Sequence, residues 1–246
     1  MILCFRVMLL AVALLFYFVN RELLDFTNTF GLEGPETGIV FQVLVWIVLV
    51  FGMLFRIIPN KKITLGARKH YSQSFIAKPD IAQSNARSGC TSDGTSTAPD
   101  AEANLHRGAA MSALSWLIVS AAVLFSFHQL GILSPATVLL WTLLLSVVDL
   151  IFVIFLCPFQ VLFMRNRCCE DCRIYNWDYF MMCAPLILFP SIFSVSLVLL
   201  SVVVLIRWEV AVKKHPHYFM KDKNAALGCE ACEGAQCRFR INRRSK

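Results

Sequence analysis

The sequence predicts an all-α, polytopic integral membrane protein built from about five hydrophobic helices, a disordered polar linker and a basic, cysteine-containing tail. Three observations predict it. Of the 246 residues 57% are hydrophobic and only 16% charged, with a mean hydropathy of +0.63, whereas a soluble domain is about 45–50% apolar and about 25% charged. The apolar residues are gathered into runs long enough to cross a bilayer, which takes about 20 residues in a helix. The Lys and Arg residues lie mostly between those runs and in the tail, giving a net charge of +7. In such a chain positive charge points to orientation and to anionic lipid headgroups as partners. No RNA- or DNA-binding motif occurs, so nucleic acid is not an expected partner. The expected location is an integral, multi-pass position in a membrane.

The chain divides into residues 1–58, a two-helix membrane segment; 59–108, a polar linker; 109–164, a helical hairpin; 165–178, a cysteine-rich loop; 179–206, the last membrane segment; and 207–246, the tail. The apolar stretch 7–19 follows Arg6 and precedes Asn20, Arg21 and Glu22. It has the length of a signal-peptide core, but no small-x-small cleavage pattern follows it, so it is expected to be an uncleaved first span. Residues 20–37 carry four acids against one Arg and read as an outer loop.

Residues 38–58 form the clearest span, with Arg56 near its end, placed to extend toward the headgroups. Lys61, Lys62, Arg68 and Lys69 follow and favour the cytoplasmic side. From Ser84 to Asp100 the linker is mostly Ser, Thr, Gly, Ala and Asp with almost no large apolar residue. Such a stretch cannot bury enough surface to offset its ordering entropy. It reads as a solvated connector, with docking of a protein partner through the linker or the tail as the alternative.

Residues 111–130 and 134–164 pair as an antiparallel hairpin across an uncharged turn at Gly131 to Pro135. Pro158 is expected to kink the second arm. Asp149 lies among Leu, Ile and Val near the middle of that arm. An acid at such depth is costly and should face the bundle interior. It reads either as a proton or cation relay or, with no charged partner evident from the sequence, as a helix–helix hydrogen bond to Ser146 one turn away or to another span.

Two flanks around the last apolar run carry six of the ten cysteines. Cys168, Cys169 and Cys172 precede it; Cys229, Cys232 and Cys237 follow it. Two intervening residues let both sulfurs of a CxxC pair turn toward one ion, and two pairs supply the four thiolates of a tetrahedral zinc site. The expected ligands are Cys169, Cys172, Cys229 and Cys232, with Cys168 and Cys237 as spare sulfurs. Zinc is the first choice and an iron–sulfur cluster the second. The competing readings are S-acylation of the juxtamembrane cysteines, disulfides in an oxidising compartment, and a redox dithiol favoured by Arg167 and Arg173. Cys4, Cys157 and Cys183 lie in apolar runs, where a thiol acts as a small hydrophobe; Cys90 lies in the linker. His215 and His217 flank a proline in the basic tail and read as solvated. Tyr175, Trp177 and Tyr179 read as an interfacial aromatic belt.

Five simple spans leave the positive-inside rule nearly balanced, because the tail holds ten Lys or Arg against four acids on the side opposite the linker and the cysteine loop. They also separate the two CxxC pairs by a bilayer. One alternative joins them: residues 180–206 contain Pro185 and Pro190, and the first part can enter as a half-helix, turn at Pro190 and Ser191 and return. The expected function is non-enzymatic, a scaffolding, sensing or redox role at a thiolate metal site. A small transporter or channel subunit using Asp149, and a membrane enzyme acting on lipid or thiol substrates, are the alternatives. No nucleotide loop, HExxH motif or nucleophile elbow occurs.

Overall fold

In the computed structural model, residues 2–27, 36–57, 75–77, 98–154, 177–220 and 223–227 are described. The described chain is helical apart from one isolated antiparallel bridge between Ala77 and Asn224. Its helices are α1 (Ile2–Val19), α2 (Glu36–Ile57), α3 (Ala98–Gln129), α4 (Pro135–Ile154), α5 (Asp178–Cys183) and α6 (Ile192–Lys214), with a 3-10 segment at Ala184–Leu188 continuing α5. Among the described residues four helices are long and apolar enough to cross a membrane: Glu36–Ile57, Arg107–Gln129, Pro135–Phe152 and Ile192–Lys214. Leu3–Val19 is a shorter apolar helix. Continuous helices suit these runs because each helix satisfies its own backbone hydrogen bonds without water.

Side-chain contacts fix how the helices run. At one end, Tyr17 of α1 lies within hydrogen-bonding distance of Thr137 of α4, 3.4 Å between hydroxyls. At the other end, Arg6 of α1 donates to the Ser146 carbonyl of α4 at 2.8 Å. These two helices are therefore antiparallel. The 3-10 turn Arg21–Leu24 folds back under the start of α2, where Gln42 Nε2 donates to the carbonyls of Leu23 and Asp25 at 2.9 and 3.1 Å. Phe26 is fully buried there and stacks on Phe193 of α6, with ring centroids 5.2 Å apart. Further along, Trp46 Nε1 donates to Ser196 Oγ at 2.8 Å, so α2 and α6 run in the same direction.

The α3–α4 connection is set by Gly131. Its φ of +66° is left-handed backbone that suits glycine. Ile132 N–H donates to Phe127 O and Gly131 N–H to His128 O, both at 3.0 Å, which closes α3 in a Schellman motif before Pro135 opens α4. This turn falls where the sequence predicts it. The helix it closes begins at Ala98, inside the segment read as linker.

The run 180–206 divides into two arms. The α5 helix and its 3-10 continuation form one arm, Phe189 to Ser191 breaks the helix, and α6 returns. Ser191 caps α6 reciprocally: its hydroxyl accepts from Ser194 N–H at 3.2 Å and its own N–H donates to Ser194 Oγ at 2.8 Å. The open ends of the two arms lie together, because Trp177 Nε1 donates to Glu209 Oε1 at 2.9 Å. A hairpin turning at Pro190 thus takes the place of the single 21-residue span that residues 186–206 offer on length alone.

The core runs through the centre of this bundle and includes Leu9, Ala13, Val45, Leu49, Met53, Leu139, Leu143, Leu186, Leu197 and Val204. Large apolar side chains also line the outside, including Leu15, Val40, Leu117, Ile118, Leu199 and Ile206.

Candidate functional site

Charged side chains converge at the end of the bundle formed by the start of α1, the ends of α2 and α4, and the start of α5. Arg56 comes from the last turn of α2 and Asp178 from the first residue of α5. Their Nη2 and Oδ2 atoms are 2.6 Å apart, and both side chains are nearly closed to solvent, at 11% and 7% exposure. Asp178 Oδ1 also accepts the Tyr179 N–H at 2.8 Å. The carboxylate therefore holds two donors while the Arg56 guanidinium stands over the Tyr179 ring, 5.7 Å from its centroid.

A second pair lies beside the first. Arg6 Nη1 is 3.8 Å from Asp149 Oδ2 and donates to the Ser146 carbonyl, while Nη2 lies 3.5 Å from Tyr179 Oη. Tyr179 thus stands between the two arginines. Its hydroxyl lies against Gly52 of α2, where an added Cβ would overlap it. The result is a compact cluster of two arginines, two aspartates and one tyrosine drawn from α1, α2, α4 and α5. Buried ions need such pairing, since an uncompensated charge is far more costly than a paired one.

Three sequence readings change here. Asp149 has a charged partner, Arg6, which lies within α1 and turns inward. Arg56 pairs with Asp178 inside the bundle in place of extending outward. Tyr179 is a buried packing residue, 4% exposed, and not part of an interfacial belt. Trp177 is bound to Glu209, and Tyr175 lies outside the described residues. Neither Arg6 nor Asp178 stood out as a site residue in the sequence. The available signal was an ionisable residue at the edge of an apolar run on three segments, Arg6, Arg56 and Asp178, with Asp149 inside the fourth.

Beyond α6, residues 215–220 and 223–227 are ordered against the linker piece at 75–77. Asn224 is fully buried. Its Nδ2 donates to Tyr218 O at 2.8 Å and its Oδ1 accepts from Ala226 N–H at 3.0 Å. It also holds a piece of the linker: Ala225 N–H donates to Ile76 O at 2.8 Å, and Ile76 N–H reaches Asn224 Oδ1 at 3.4 Å. Phe75 packs edge-on against His217 and lies against Tyr218, at 5.2 and 5.1 Å. His215 and His217 are thus part of an aromatic cluster with Tyr218.

Cys168, Cys169, Cys172, Cys229, Cys232 and Cys237, the predicted metal ligands, lie outside the described residues, as do Cys90, Cys157 and Pro158. Among the described residues no group of three or more His, Cys, Asp or Glu is arranged to hold a metal ion. Cys4 is exposed and Cys183 buried, both as free thiols.

The arrangement defines a helical bundle with one strongly charged end and a hairpin closing on it. No known protein family, no curated protein and no solved structure matches the chain.

Proposed function

We propose that the chain is a multi-pass integral membrane protein, non-enzymatic, that presents a thiolate metal site at the charged end of its bundle. Cys169, Cys172, Cys229 and Cys232 are its four ligands, zinc its first metal and an iron–sulfur cluster its second, in a scaffolding, sensing or redox role. One observation carries the reading: the α5–α6 hairpin returns to where it started, with Trp177 bonded to Glu209. Cys172 lies five residues before Trp177 and Cys229 two residues after Leu227. Five residues reach about 17 Å when extended, so this geometry supports a meeting of both CxxC pairs on one side.

Charge supports the same reading. The described connections at the opposite end, residues 20–27, 130–134 and 189–191, contain one basic residue, Arg21, of the 23 in the chain. The ends of α2, α4 and α6, from which the sequence continues into the linker, the cysteine loop and the tail, lie at the charged end, which is then the cytoplasmic side by the positive-inside rule. Cytosolic thiols stay reduced and available to metal. The Arg6 contact supports Asp149 as a packing charge in preference to a transport residue.

Metal analysis of the purified chain under reducing conditions tests the proposal. About one zinc, or one cluster, per chain is expected, and Cys169→Ser or Cys232→Ser should each abolish it while Cys90→Ser does not, because a closed tetrahedral site loses most of its affinity with one ligand. A folded chain free of metal, with all six flank thiols titratable, contradicts it.

A further inference from the structure

The outward face of α6 carries a stripe that changes character along its length. Ile192, Val195, Leu199, Val203, Ile206 and Val210 are all exposed. Arg207 and Lys214 continue the same face, both exposed. Seven residues are nearly two helical turns, so Arg207 and Lys214 stand one above the other, about 10 Å apart along the axis, with Val210 between them. Neither has a carboxylate partner among the described residues. Glu209, the nearest acid in sequence, is bound to Trp177 instead.

Depth gives the pair a meaning. Measured from Ile192 at 1.5 Å per residue, Arg207 lies about 22 Å along the helix and Lys214 about 33 Å. A bilayer's hydrocarbon core is about 30 Å thick. On the membrane reading, on which this inference rests, an Arg at the first depth is still within the inner leaflet and must extend toward the headgroups. Lys214 lies just beyond the boundary. Two cations would therefore bracket the phosphate layer from above and below, with an unbroken apolar stripe leading up to them.

We propose that Arg207 and Lys214 form a binding site for one anionic phospholipid of the inner leaflet. The headgroup phosphate lies between the two cations, and an acyl chain runs along Val203, Leu199 and Val195. Arg207 supplies directional N–H donors to the phosphate oxygens, and Lys214 a more mobile point charge. The arrangement favours an anionic lipid over a zwitterionic one because the site adds two positive charges and no described acid faces it. Lys213, also exposed, is about 120° from Arg207 and about 100° from Lys214 around the helix, on the opposite flank of the stripe beside Ile206.

The test uses the full-length chain reconstituted in mixed phosphatidylglycerol and phosphatidylcholine bilayers, released and read by native mass spectrometry for retained lipid. Phosphatidylglycerol should be retained preferentially, and Arg207→Gln and Lys214→Gln should each weaken retention about fivefold, the effect of one basic residue near the surface. Lys213→Gln should leave it near the wild-type level. Equal losses in all three variants would indicate a diffuse basic field and overturn the site. Unchanged retention in Arg207→Gln and Lys214→Gln, or no preference for phosphatidylglycerol, would overturn it as well. Each variant is first checked for membrane retention after an alkaline carbonate wash. A chain that washes out fails the membrane reading itself, whereas an embedded chain that shows no preference fails this inference alone.

Discussion

Removing Arg56 should do more damage than removing the whole Arg56–Asp178 pair. The two groups meet at 2.6 Å with 11% and 7% of their side chains exposed, so Arg56→Met leaves a carboxylate in the bundle with its main counter-charge gone. Breaking a buried pair from one side costs about 3–5 kcal/mol, which lowers the folded-to-unfolded ratio at least a hundredfold. In Arg56→Met/Asp178→Asn the buried charge is gone, and the amide oxygen still accepts the Tyr179 N–H that Asp178 Oδ1 accepts at 2.8 Å. The double variant should therefore recover more than half of the loss. The assay is a double-mutant cycle on unfolding free energies in detergent micelles, with all four proteins in one detergent. A coupling of about 2 kcal/mol or more is expected, within the range for residues in direct contact. Additive losses would mean that the pair is solvated and that the charged end is not the closed cluster described above.

Three more expectations follow from the same region and its neighbours. Gly52→Ala should destabilise by about 1–3 kcal/mol through overpacking against the Tyr179 hydroxyl, and Tyr179→Phe should restore part of that loss in the double variant; no rescue would place the strain elsewhere. Asp149→Asn should insert normally and lose about 1–3 kcal/mol in the same unfolding assay, because Arg6 keeps its bond to the Ser146 carbonyl; a neutral result would make the 3.8 Å contact with Asp149 incidental. Limited proteolysis of the intact protein should cut first between residues 82 and 97, a stretch rich in Ser, Thr, Gly and Ala, and protection equal to that of the helices would contradict the linker reading.

Local signals in the sequence were enough for some elements and not for others. The second span is legible as residues 38–58 and forms the helix Glu36–Ile57, because a long run that is apolar except for Gln42 and Arg56, bounded by acids and a Pro-Asn pair, leaves little choice. The turn before Pro135 was equally legible, since glycine and proline report backbone requirements at their own positions. The α5–α6 hairpin was not decidable. Residues 180–206 are long enough for one span, and Pro185 and Pro190 permit a break without requiring one; the Trp177–Glu209 bond that joins the two ends spans 32 residues. The pairing of Arg6 with α4 was hidden for the same reason. It joins positions about 140 residues apart and depends on the relative rotation of two helices, which composition does not encode. Tyr179 carries the same lesson in miniature. An aromatic at the edge of an apolar run suits a headgroup belt or a buried contact equally well, and only its packing against Gly52 and Arg6 distinguishes them.

The central claim is that the two cysteine flanks, the linker and the tail share one side of the membrane. Site-directed labelling tests it most directly. Single cysteines are placed at residue 92 in the linker, 170 in the cysteine loop and 240 in the tail, each in an otherwise cysteine-free chain. Oriented vesicles are then treated with a membrane-impermeant maleimide. The account predicts that all three positions react from the cytoplasmic face alone, while a cysteine at residue 30, in the opposite connection, reacts only from the other face. Labelling of positions 170 and 240 from opposite faces would contradict it.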